Sequence, residues 1–266
     1  MLNRALYARE MKRSARLLAA VCAVLTLYVA VIIWMYDPAM MALLDSLVKL
    51  MPQLMAAVGM RAGNTGLMGF MVSYLYGFVL LIFPMLYAIV RGNALIAQYV
   101  DDGSMVALIA APVRRSAVAL TQALVLASTL ALLIAYCTAL ELACATLLFP
   151  GALDAAALIA LNVGLLALHV FIGGVCFLAS CAFSDAKKSL GFGAGIPVLM
   201  YVLQMLANVG GAARNARYFT FFTRFDPSGI LVGETAALAG GVALFAGAAV
   251  LYALGVAMFC RKDLHI

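Results

Sequence analysis

Between Ala117 and Phe149 the chain runs for 33 residues with one charged side chain, Glu141. As a helix rising 1.5 Å per residue this stretch would be about 50 Å long, against a hydrocarbon core of roughly 30 Å. Only helices and closed barrels satisfy their backbone polar groups in lipid, and an unbroken apolar run of this length, with no alternation of polar residues, fits the helix alone. It must tilt or protrude. Five further runs, at about 17–36, 67–90, 155–183, 190–209 and 234–260, are each long enough to cross a bilayer. With 67% hydrophobic residues, 11% charged residues and a mean hydropathy of +1.11, nothing remains from which a soluble domain could be built. The expectation is an all-α polytopic membrane protein, residues 1–266 forming one transmembrane domain of six spans.

The basic residues orient these spans. Before the first span stand Arg4, Arg9, Lys12, Arg13 and Arg16 against Leu2, Leu6 and Met11, the pattern of a weakly amphipathic helix lying on an anionic lipid surface. The following run of 20 residues exceeds the apolar core of a secretion signal and no small-residue cleavage site follows it, so it reads as a retained span. The stretch from Asp37 to Gly66 is too broken to cross and reads as one or two helices on the outer surface. Six spans place both termini on one side. That side carries twelve Lys and Arg (4, 9, 12, 13, 16, 91, 114, 115, 187, 188, 261, 262) against five on the other (49, 61, 214, 217, 224). The asymmetry places both termini in the cytoplasm, with the three arginines of 210–233 its weakest fit. It also accounts for the net charge of +6 without nucleic acid. The six cysteines fall almost entirely within apolar runs, with no CxxC and no histidine at ligand spacing, which speaks against a metal site.

The search for chemistry is mostly negative. There is no GxxxxGK[ST] loop, HExxH, GxSxG or dinucleotide fingerprint, so the chain is not an enzyme by itself and holds no cofactor of its own. Gly191, Gly193 and Gly195 open an apolar span, and close helix packing explains them. Gly69, Ser73 and Gly77, and likewise Ala239, Ala243 and Gly247, recur every four residues and could each seat a neighbouring helix. Among intramembrane polar residues, Glu141 counts to the outer interface, Asn162 and Gln204 to the outer half, and His169 to the inner half. Helix-to-helix hydrogen bonding explains them better than a proton relay, which would need ionisable groups on several helices near the midplane.

The largest polar interruption is Tyr99 to Arg115, YVDDGSMVALIAAPVRR. Asp101, Asp102, Gly103 and Ser104 supply turn and cap chemistry, Met105 to Ala111 can form a short helix, Pro112 ends it, and Arg114 with Arg115 hold its far end in water. Met105, Leu108 and Ile109, at i, i+3 and i+4, give it an apolar face for a protein contact.

In its order of features the chain resembles the permease subunits of ATP-binding-cassette exporters of the ABC-2 type, in the six-span form without a fused ATPase. The shared features are the basic helix before the first span and a first cytoplasmic loop reading acid, glycine-serine, short apolar helix, proline, hydrophobe and arginine. Here these are Asp101 or Asp102, Gly103-Ser104, MVALIAA, Pro112-Val113 and Arg114-Arg115. The aromatic RYFTFFTRFDPSGILVGE before the last span and the basic C-terminus with Arg261 and Asp263 are similar too. The resemblance implies that this loop is a coupling helix docking on a separate cytoplasmic ATPase subunit, which binds ATP and Mg. It also implies that a second permease copy or homologous half completes the path, in the plasma membrane of a bacterium. A secondary transporter or channel acting alone would show an inverted repeat with midplane charges, and none is evident. A non-transporting scaffold would not need the loop at all.

Overall fold

The computed structural model describes residues 2–37, 50–57, 66–110 and 113–262, with the backbone alone at Ala107, Ile109, Ala110 and Ala212. Among these residues there are helices and no strand. The elements are α1 Arg4–Trp34, α2 Pro52–Ala57, α3 Leu67–Met71, a π-helical stretch Val72–Val79, α4 Leu80–Leu95, α5 Ala97–Asp101, α6 Met105–Ala110, α7 Arg115–Leu148, α8 Ala155–Ala182 and α9 Ala186–Val209. Two 3₁₀ turns, Gly211–Phe219 and Phe221–Arg224, then lead to α10 Pro227–Leu231 and α11 Thr235–Arg261. Six helical segments are long and apolar enough to cross a membrane: α1, the composite Leu67–Asp101, α7, α8, α9 and α11. The chain is multi-pass.

The boundaries follow from local chemistry. Asp154 opens α8 by accepting the N–H of Ala156 and Ala157 at 2.9 and 3.1 Å. Asp185 opens α9 in the same way, accepting from Lys187 and Lys188 at 2.7 and 3.2 Å, which holds its carboxyl below the usual carboxylate range. Asn3 caps α1 through the N–H of Leu6 and donates its own N–H to Thr121 Oγ1. The first helix is therefore continuous over 31 residues, about 46 Å. The basic segment is its first turns rather than a separate surface helix: Leu6, Glu10 and Ser14 face the protein while Arg4, Arg9, Lys12, Arg13 and Arg16 are exposed.

Helix α8 is the central post. Its glycines let neighbours approach where a side chain could not: Gly173 lies under Tyr252, Gly174 under Leu251, and Gly164 under Ile230. It also repairs both proline breaks. Pro84 in α4 and Pro197 in α9 lack the N–H that would bond the carbonyls of Leu80 and Gly193. His169 Nε2 donates to the Leu80 carbonyl at 2.8 Å, and Cys176 Sγ donates to the Gly193 carbonyl at 3.3 Å. The two donors stand seven residues apart on one face of α8. Both freed acceptors are thereby satisfied inside the bundle.

Bonds between chain ends define two ends of the molecule. At the near end Asn3 meets Thr121, Arg115 Nη1 donates to the Lys262 carbonyl at 3.1 Å, and Lys262 Nζ to the Cys181 carbonyl at 3.2 Å. The first and last described helices therefore meet there, α1 through its cap Asn3 and α11 through Lys262. At the far end Tyr36 packs its ring against Phe70 and Phe149, with centroids 5.5 and 5.1 Å away, joining α1, α3 and α7.

Candidate functional site

Two arrangements stand out, one at each end. At the near end the second membrane helix breaks at Ile96, whose φ of −128° leaves helical geometry. Ser180 on α8 accepts the stranded Ala97 N–H at 2.8 Å and donates onward to the Asn93 carbonyl at 3.4 Å. The break turns α5 so that Tyr99 reaches Glu10 on α1. The Tyr99 hydroxyl donates to Glu10 Oε1 at 2.5 Å, and Arg91 Nη2 donates to Glu10 Oε2 at 3.3 Å. Glu10 is fully buried and Arg91 nearly so. Arg13 completes the node from outside, its guanidinium 5.2 Å from the centre of the Tyr99 ring. Among the described residues this is the one ion pair. Both charges must stay together, since removing one partner of a buried pair strands the other at a cost of about 3–5 kcal/mol.

Beyond Tyr99 the segment takes the expected turn. Asp101, Asp102, Gly103 and Ser104 are exposed, and Gly103 adopts a φ of +73° that favours glycine. Asp102 Oδ1 accepts both the hydroxyl and the N–H of Ser104, at 2.5 and 2.9 Å, which lowers its carboxyl below the usual range. Helix α6 follows. Met105 is fully buried in the main core and Leu108 packs on it half-buried, while Val106 is 45% exposed. Two of the three residues expected to await a partner are thus covered by the chain itself. Pro112 lies outside the described residues, as does the Ile109 side chain. Arg114 is exposed at the start of α7, whereas Arg115 is drawn onto the last carbonyls of α11, where a cation complements the helix dipole.

Glu10 escaped sequence reasoning because five cations surround it. Leu6, Glu10 and Ser14 at i, i+4 and i+8 were the available signal, one acid on the inward stripe of a basic helix.

At the far end the segment 211–231, a loop between the fifth and sixth spans in the sequence, packs back on α9 with Tyr218 and Phe219 exposed and enters the bundle from Thr220 onward. Thr220 donates to the Met200 carbonyl at 2.8 Å, nine residues, or about 14 Å, short of the end of α9. Phe221 meets Phe171 at 5.0 Å, and the Arg224 carbonyl lies where a Cβ on Gly240 would be. Non-helical backbone at that depth needs protein or water around it. A cavity of about 570 Å³ provides it, walled by the π-helical stretch through Val72, Tyr76 and Gly77, by Gln204 and Asn208 of α9, and by Arg214, Arg217 and Asp226. Behind its Tyr76 wall lies a buried cluster. Glu141 Oε2 accepts from the Tyr76 hydroxyl and from Asn162 Nδ2, both at 2.8 Å. Glu141 is fully buried, a facing that its count to the outer interface along the helix did not give.

No family model matches the chain, and no curated protein matches it.

Proposed function

We propose that this chain is the permease subunit of an ATP-binding-cassette exporter of the ABC-2 type, driven by ATP hydrolysed in a separate subunit that docks on residues 99–115. The observation that carries this reading is the Glu10 node. A capped, exposed turn with a short helix is joined through Tyr99 to a buried carboxylate shared by α1 and the second membrane helix. Displacement of the turn would thus pull on two spans together rather than on a slack loop. The twelve-to-five basic asymmetry supports placing this end in the cytoplasm, with the ATP and its Mg belonging to the partner. A second permease copy suits the exposed face of α9, where a Cβ on Gly191 or Gly195 would meet nothing within 4 Å. Gly247 is less suited, because Phe171 of the same chain already sits on it.

A second reading, a proton-coupled carrier working alone, draws on Glu141, whose Oε1 is buried without a partner. One experiment separates the two. Asp101→Lys with Val106→Glu changes exposed groups and spares the Asp102 cap, so insertion and thermal stability should be unchanged while co-purification of an ATPase and substrate-stimulated hydrolysis are lost. Transport that survives this variant and is abolished by Glu141→Gln would favour the carrier.

A further inference from the structure

We propose that the far-end cavity is a binding site for an amphiphilic anion, with the phosphate or carboxylate head between Arg214 and Arg217 and the apolar chain along Val72, Leu81, Phe222 and Phe225. The site goes beyond the permease reading and stands whether or not an ATPase partner exists. Among the described residues neither arginine lies in an ion pair, and Asp226 is the one carboxylate on the wall. Arg217 donates to the Tyr218 hydroxyl at 2.7 Å and lies 4.8 Å from that ring, which fixes its plane while leaving other N–H groups of the fork for a ligand. The Tyr218 phenol is held below its ordinary value by that hydrogen bond and by the charges of Arg217 and Arg214, as expected beside a positive wall. Gln204 is oriented by neighbours, accepting from Thr223 at 2.9 Å and donating to Asn208 at 3.1 Å, so the polar wall is ordered.

The rest of the lining is of a different kind. Val72 and Leu81 come from the second membrane helix and Phe222 and Phe225 from the inserted segment, and none offers a side-chain donor. Gly77 keeps the wall bare between them. A cavity of about 570 Å³ has room for a head group and part of a chain. Arginines at this end run against the basic asymmetry that orients the spans, and a ligand explains why two of them are there.

The full chain in phosphatidylcholine nanodiscs, titrated with radiolabelled dodecyl phosphate and corrected for empty discs, tests the site. Saturable binding should weaken about tenfold or more in Arg214→Gln/Arg217→Gln and by less than that in Arg214→Lys/Arg217→Lys, which keeps the charge but loses the fork. Inorganic phosphate and zwitterionic dodecylphosphocholine should each compete at least about tenfold less well, one lacking the chain and the other the net charge. Adding phosphatidic acid to the disc distinguishes the sources: an occupying lipid lowers apparent dodecyl phosphate affinity, a free amphiphile leaves it unchanged, and both outcomes support the site. Binding that is unsaturable, indifferent to the glutamine pair, or equally strong for dodecylphosphocholine overturns it, and inorganic phosphate competing equally well removes the amphiphile.

Discussion

Truncating Glu10 leaves the Arg91 guanidinium buried without its counter-charge and the Tyr99 hydroxyl without its acceptor. Glu10→Ala should therefore lower stability by about 3–5 kcal/mol, read as a fall in thermal midpoint in detergent. The double variant Glu10→Ala/Arg91→Met, which removes the stranded charge, should recover much of that loss. A single variant as stable as the parent would mean that the pair is not formed. No count along the helix could establish this pair, because its partners lie 81 residues apart, and Tyr99 joins them only when α5 turns at Ile96. His169 was more legible. An uncharged donor on an apolar helix suggested helix-to-helix bonding, and the carbonyl freed by Pro84 is the acceptor it finds. Glu141 was the least legible, since depth along α7 gives no information on which way its side chain faces, and Tyr76 and Asn162 enclose it.

At the scale of elements, the last four apolar runs coincide with helices to within a few residues, because length and composition alone decide what can cross lipid. The first two helices are longer than their apolar runs: α1 begins at Arg4, before the run from 17, and the second begins as expected at Leu67 but continues past Val90 to Asp101, its π-helical stretch breaking the four-residue spacing read for Gly69, Ser73 and Gly77. Gly69 and Ser73 pack inside the bundle while Gly77 faces the cavity. The insertion of 211–231 could not be read from its own residues. An arginine- and aromatic-rich stretch suits an interface equally well, and the depth it reaches is set by bare positions on other helices, Gly164 and Gly240. Gly240→Ala tests that dependence. Its Cβ would collide with the Arg224 carbonyl, backbone that cannot swing aside, so the inserted segment must shift, at a cost of about 1–3 kcal/mol. The thermal midpoint should fall, and proteolysis between 211 and 224 should quicken. A variant matching the parent in both would place the segment at the surface.

Across the whole molecule, the two ends divide the work in a way that suits an energised permease. The near end gathers the start of α1, the last turns of α8 and α11, and the Glu10 node, with a capped turn projecting from it. The far end holds the cavity and the buried carboxylate cluster. Six spans and a multi-pass topology were legible because hydropathy expresses them directly. How the near-end turn is tied down was not, because it depends on contacts between residues far apart in the chain. The central claim is that this turn receives an ATPase. A photo-crosslinking residue placed at Val106, an exposed apolar group of α6, tests it most directly when the chain is irradiated in its native membrane and the adducts are identified by mass spectrometry. The predicted adduct is a span-less protein carrying a nucleotide-binding loop, and it should disappear in the Asp101→Lys variant. Adducts to lipid alone, or to no protein with a nucleotide site, would contradict the claim.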